Sequence, residues 1–228
     1  MYMSQHAFTP VPSKFDLWVP YNRNYMTLTS RAPGAVLSRI LRLRDEPEKF
    51  MAVGLWTDRD VAAQWTSSAE AALGAKPSID QGLYDGFPMT WTRWELVDFA
   101  WGLEGRAALA APGLFVQHVT RTVSPERIET RQTFNRAVMS LMARRPGFVS
   151  GETYRGHRND RLLTIYTFKD EVCAAEDPPA ELAMFLRAAD ATGFSPQAPA
   201  PVSLNCSVFE SVWGPEADSV QQFLGAAA

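Results

Sequence analysis

An internal repeat constrains this chain more than any other feature. Gln5-His6 recurs as Gln117-His118, and Tyr21-Asn22-Arg23-Asn24-Tyr25-Met26 recurs as Phe134-Asn135-Arg136-Ala137-Val138-Met139. Ala32-Pro33-Gly34 matches Arg145-Pro146-Gly147, and the run Phe50 to Asp58 matches Leu162 to Asp170. Ala100-Trp101-Gly102 then matches Val212-Trp213-Gly214. Five matches in one order and at a nearly constant separation imply a duplicated unit of about 110 residues. A chain of 228 residues has room for two such units and little more.

Both copies share one pattern of elements. Each opens on a strand, expected over 2–10 and 113–123, and continues into a helix of about 20 residues. In the second copy Ser124 is placed to cap that helix, with Pro125 at its first position. Pro33-Gly34 and Pro146-Gly147 stop the two helices. Two strands around a charged turn follow, then a second helix (about 58–74 and 178–192) and a last strand (about 88–100 and 202–213). The order βαββαβ is the ferredoxin-like unit, an α+β fold. We expect a first repeat over 1–103, a linker over 104–112, a second repeat over 113–214 and a C-terminal helix or tail over 215–228. A sheet of this topology carries its helices on one face, so two copies are expected to pair their sheets into an α+β barrel with a pocket between them.

Composition narrows the function. Apolar residues make up 46% of the chain, enough for packed cores, and 22 basic side chains face 25 acidic ones. This balance offers no electrostatic footprint for nucleic acid. No apolar run approaches the roughly 20 residues of a membrane span, and Met1 to His6 lacks the pattern of a secretory signal. Cys173 and Cys206 form neither a disulfide framework nor a metal cluster. A cytoplasmic protein is expected. His6, His118 and His157 show no metal-ligand spacing, and the glycine-rich phosphate loops and the Gly-x-Ser-x-Gly elbow are missing. No metal, flavin or other cofactor is therefore expected.

Each copy resembles the dimeric α+β barrel domains of the antibiotic biosynthesis monooxygenase type. The Pro-Gly after the first helix carries the resemblance, together with the strand that ends in aromatic-x-Asp before the second helix. That strand end reads Leu55-Trp56-Thr57-Asp58 in copy one and Phe168-Lys169-Asp170-Glu171 in copy two. The resemblance implies cofactor-independent oxygenases, haem-degrading enzymes, isomerases or polyketide cyclases, since all share the fold. Trp56 matches the family's pocket tryptophan, but Ala52 and Thr164 stand where related oxygenases carry an amide, and Phe168 replaces the second tryptophan. Haem degradation would need a histidine on a second helix, and neither copy has one.

Within the repeats, Gln5, His6 and Arg93 are the candidate catalytic residues. Trp56, Trp91, Gln117 and His118 are the candidate substrate-binding residues. Adjacent Gln and His on a strand point to opposite faces, so one of each pair faces the interior. Arg93 between tryptophans suits a phenolate or carboxylate through charge and stacking, although an edge strand at a dimer contact explains the same residues. Trp56 also reads as a core aromatic, and Asn22-Arg23 with Asn135-Arg136 as a symmetric structural pair. The leading expectation is a cofactor-independent oxygenase acting on a planar aromatic or polyketide-type molecule with dioxygen. A cyclase or isomerase in the same pocket, or a non-catalytic binding barrel, stands as the alternative, and a homodimer is an open expectation.

Overall fold

The computed structural model describes residues 2–96, 101–102, 114–156, 161–175, 180–191 and 205–213. Over 85–96, 101–102 and 205–213 the description is of the backbone alone. The chain divides into two compact units, and the divisions fall inside the last strand of each repeat, after Arg93 and after Val208.

The first unit runs β1 (Tyr2–Pro10), α1 (Phe15–Arg31), β2 (Ala35–Leu43), β3 (Phe50–Trp56), α2 (Arg59–Thr66), α3 (Ala69–Asp80) and β4 (Tyr84–Leu96). Its strands lie in the order β4-β1-β3-β2. α1 forms because Trp18, Val19, Asn22, Met26 and Thr29 recur at helical spacing and bury one stripe against the sheet. Gly34 then adopts φ +74°, and a Cβ there would lie 2.5 Å from Val61 Cγ1, so no other residue fits. The single helix expected over 58–74 is two. Ser68 Oγ accepts from the Ala71 amide and starts a new helix one residue after the first ends.

The second unit takes up a two-residue β5 (Trp101–Gly102) and then β6 (Phe115–Thr122), α4 (Ile128–Met142), β7 (Phe148–Gly156), β8 (Arg161–Phe168), α5 (Glu171–Ala175), α6 (Ala180–Ala191) and β9 (Asn205–Trp213). Its order is β9-β6-β8-β7, which is the order of the first. Trp94–Leu96 of β4 pair with β7 in this unit, while Phe209–Trp213 of β9 pair with β2 in the other. The chain is thus a tandem of ferredoxin-like α+β repeats. The C-terminal helix or tail expected over 215–228 lies outside the described residues.

Local bonds align the two repeats residue by residue. The Thr57 amide donates to the Gly34 carbonyl, and the Lys169 amide donates to that of Gly147. Asp58 caps α2 by accepting from the Val61 amide, and Asp170 accepts from the Cys173 amide. Each β2–β3-type pair slips by one residue at the same place, between Ala35 and Leu37 and between Phe148 and Ser150. Trp56 therefore answers to Phe168, Gly54 to Tyr166 and Ala52 to Thr164.

Candidate functional site

The helix side of the first sheet carries two apolar clusters. One gathers Phe8, Trp18, Met26, Ile40 and Phe50. The other gathers Tyr2, Ala32, Trp56, Ala62 and Trp65. Between them lies a cavity with an empty volume of about 310 Å³, its open mouth included. Ser4 and His6 reach it from β1, Ser38 from β2, and Ala52, Gly54 and Trp56 from β3. Tyr25, Met26 and Thr29 of α1 close it from above, and Trp65 and Thr66 of α2 close one end. Strand periodicity explains the selection, because Ser4 with His6, and Ala52 with Gly54 and Trp56, are alternate residues on one face.

Its polar groups are held in place. Trp56 Nε1 donates to Ser4 Oγ at 3.1 Å, and that hydroxyl donates to the Gly54 carbonyl at 3.4 Å. The bond turns the Trp56 ring along the cavity wall, and Trp65 lies with its ring centre 6.4 Å away at an interplanar angle of 36°. Gly54 leaves room for this pair, since a Cβ there would sit 3.0 Å from both Ser4 Oγ and Trp56 Nε1. Ser38 Oγ lies 3.9 Å from Met26 Sδ, and Thr29 Oγ1 donates to the Tyr25 carbonyl at 3.0 Å.

His6 is partly covered, yet its Nδ1 has no solvent-exposed surface. Burial pulls its pKa down to about 4, so the imidazole is neutral at pH 7. It is a hydrogen-bonding group with low basicity. Burial also raises the Tyr25 phenol above its usual range, first by desolvation and then through the neighbouring Tyr84. The arrangement presents an indole wall, hydroxyls and a neutral imidazole to one partly open cavity. Among the described residues, no group of three or more His, Cys, Asp and Glu is placed to hold a metal ion. No helix among them is long and apolar enough to cross a membrane.

Of the residues singled out in sequence, His6 and Trp56 meet in this cavity. Gln5 does not: it lies buried on the other face of the sheet, with Nε2 3.7 Å from Met3 Sδ. His118 requires a correction. It was expected to be the counterpart of His6, but it stands opposite Ile165, as Gln5 stands opposite Val53. The true counterpart of His6 is Val119, and Gln117 answers to Ser4 on the helix side of the second repeat. His118 thus points to the opposite face of its sheet, where burial lowers its pKa to about 3. Trp91 and Arg93 lie on β4, and their side chains are outside the described residues, as is His157. Sequence reasoning missed Ser4 and Trp65. Ser4 shares its face with His6 by simple alternation, and Trp65 falls one turn beyond Ala62 on α2.

No family model and no curated protein matches the chain. Among solved structures, an anthrone oxidase-like protein is similar over 96% of this chain and 94% of its own, with a TM-score of 0.66 at 12% identity. A proposed monooxygenase from Fusobacterium nucleatum subsp. nucleatum matches over 93% and 95%, with a TM-score of 0.63 at 11% identity. A further proposed monooxygenase, from Lactobacillus acidophilus, matches over 93% and 97%, with a TM-score of 0.61 at 9% identity. The architecture defines the class first: a tandem ferredoxin-like α+β protein. Across nearly its full length, that tandem fold is the one seen in these monooxygenase-type structures.

Proposed function

We propose that the first-repeat cavity binds a small planar aromatic molecule bearing a hydroxyl or carbonyl group, and that the protein promotes its oxygenation without a cofactor. The observation that carries this reading is the lining itself. Two indoles and a neutral imidazole border one partly open space with the hydroxyls of Ser4, Ser38 and Thr29 on its walls. In the reaction the substrate is its own reductant. In its keto tautomer a phenol presents a ring CH₂; deprotonated there, the carbon adds dioxygen to form a hydroperoxide, which loses water to leave a carbonyl. One oxygen atom ends in the product and one in water, and all four electrons come from the former CH₂ carbon.

His6 contributes as a hydrogen-bond acceptor towards the acidic substrate proton. Its low basicity rises when a negative charge develops beside it, so the proton moves as the anion forms. The indoles offer the ring an orienting aromatic wall. The test is oxygen uptake by purified protein with planar phenols of one to three rings, above the uncatalysed rate. His6→Gln is expected to lower the rate about 10²-fold if the imidazole takes the proton. Uptake equal in wild type and His6→Gln would refute this role. Binding without turnover is the second reading, favoured by the low basicity of His6, and saturable binding with no oxygen uptake would establish it.

A further inference from the structure

One charged residue interrupts the buried stripe of α4, which is otherwise Ile128, Phe134, Asn135, Val138, Met139 and Met142. It is Arg131, 6% exposed, at the position that Trp18 holds in the first repeat. Trp18 sits there among Phe8 and Phe50, with ring centres 5.4 and 5.1 Å away. The second repeat replaces that aromatic stack. Arg121 stands in the register of Phe8 and Leu162 in that of Phe50, while Arg155 flanks Leu162 from β7. Partners across paired strands share a face, so Arg121, Leu162 and Arg155 form one row on the helix side. Thr164 and Thr153 belong to the next row on that face. α4 sets Arg131 over these two rows. Ile128, one turn earlier, packs with Leu162, and Asn135, one turn later, donates to Thr164 Oγ1 at 3.4 Å.

Among the described residues Arg131 has no counter-charge. Its contact there is with the face of Phe134, 4.6 Å from Cζ, and its Nε has no hydrogen-bond partner among them. Thr153 is 1% exposed, and its Oγ1 likewise has no partner among the described residues. A guanidinium cannot shed its proton, and a buried charge is costly unless an opposite charge meets it. The other repeat fills this position with tryptophan, so the fold itself does not call for the charge. Arg121 and Arg155 add two cations on the same face and are half-buried, which leaves the row open to an ion from solvent. One carboxylate, that of Glu95, belongs to the residue in register with Arg155. Three cations against one anion leave two positive charges to be met.

We infer that the helix side of the second repeat binds a compact dianionic oxyanion, a phosphate group, gathered by Arg131, Arg121 and Arg155. Forked N–H groups match the oxygens of a phosphate, and its two charges balance the excess. A monocarboxylate would leave one charge unmet. Every residue of the site belongs to the second unit, and none lines the first-repeat cavity.

The experiment is thermal unfolding and calorimetry of the full chain with inorganic phosphate, at constant ionic strength set by chloride. The melting temperature of wild type is expected to rise saturably, by about 5 °C or more at a hundredfold excess over the dissociation constant. Acetate should move it little. Arg131→Met keeps an unbranched apolar stem and is expected to abolish the response. In phosphate-free buffer it should keep or raise the melting temperature, because an unmet charge has gone. Arg121→Gln is expected to weaken phosphate binding about tenfold. Methyl phosphate separates the two sources of the group: its binding extends the site to phosphomonoesters, and its exclusion confines the site to the free ion. No response of wild type to phosphate would overturn the inference, as would an equal response to acetate or an unchanged response in Arg131→Met. A lower melting temperature of Arg131→Met in phosphate-free buffer would show that the chain itself meets the charge, and would overturn it as well. No measurement here uses a ligand of the first-repeat cavity or turnover, so failure of either reading leaves the other standing.

Discussion

Position by position, the first repeat lines its cavity with smaller or more polar residues than the second repeat carries. Gly54 leaves space beside Ser4 and Trp56, whereas Tyr166, its counterpart, is buried in a continuous cluster with Val119, Met139, Met142 and Phe168. His6 is answered by the apolar Val119, Thr29 by Met142, and Tyr25 by Val138. Both repeats carry two helix-side clusters, but in the second the larger one spans the positions that line the cavity in the first, leaving a small cluster of Val123, Ile128 and Leu162 beside it. Duplication supplies two copies of one scaffold, and a handful of substitutions can turn one copy towards packing while the other holds a cavity. The opposite faces diverge differently. Arg39 of the first repeat and Glu152 of the second stand in the same register and are both buried, with opposite charge. Arg39 Nη1 donates to the Ser38 carbonyl at 2.8 Å, and Tyr154 Oη donates to Glu152.

The largest effects come from emptying the two aromatic counterparts. Trp56 and Phe168 are 1% and 0% exposed, so truncation of either to Ala should cost about 3–5 kcal/mol. Chemical denaturation measures both losses. The comparison predicts a split in a second measurement: Trp56→Ala should abolish binding of planar ligands, and Phe168→Ala should leave it within about twofold of wild type, at temperatures where both are folded. Equal effects on binding would mean that the second repeat also holds a working site.

Much of this asymmetry was not legible in the sequence, while the architecture was. The repeat, the two Pro-Gly stops and the element order all follow from local chemistry: a positive φ at Gly34 and Gly147, helical spacing on α1 and α4, alternation on the strands. The Gln-His match misled for a physical reason. Side chains on a strand alternate with period two, so one residue of slip between strands puts His118 on the face opposite to that of His6. Only pairing partners reveal such a slip, and Gln5–Val53 against His118–Ile165 did so. Trp65 was missed because its role depends on α2 ending over the sheet, which the break at Ser67-Ser68 decides.

The two histidines predict acid sensitivity on both faces of the molecule. Their folded-state values, about 4 for His6 and about 3 for His118, lie below the unfolded value of 6.5. Between those values the unfolded chain binds more protons than the folded one, so stability falls as pH drops. The contribution is fully present above pH 6.5 and lost as the pH falls through about 4 and then about 3. His6 is worth on the order of 3 kcal/mol and His118 on the order of 5 kcal/mol when fully titrated. Denaturant midpoints measured from pH 7 to pH 4 should therefore decline steeply in wild type. His6→Gln and His118→Gln should each flatten the decline, and only His6→Gln should also change ligand binding at pH 7. A His118→Gln variant with wild-type acid sensitivity would show that its imidazole is charged in the fold.

The smallest effect separates two glycines that both face the helices. At Gly54 an added methyl would meet Ser4 Oγ and Trp56 Nε1, each at 3.0 Å, and these two atoms are bonded to one another. Neither can retreat without stretching that bond or turning the indole. At Gly151, the counterpart of Ser38, the nearest atom is Met139 Sδ at 3.2 Å, at the end of a flexible side chain. Gly54→Ala should thus cost about 1 kcal/mol or more through overpacking, while Gly151→Ala should stay within about 0.5 kcal/mol of wild type. The tryptophan emission spectrum gives a second readout, because rotation of Trp56 away from Ser4 changes the surroundings of its indole. A spectral shift in Gly54→Ala but not in Gly151→Ala is expected. If Gly54→Ala left stability, emission and ligand affinity unchanged, the Ser4–Trp56 pair would not be the fixed wall that distinguishes the first repeat from the second.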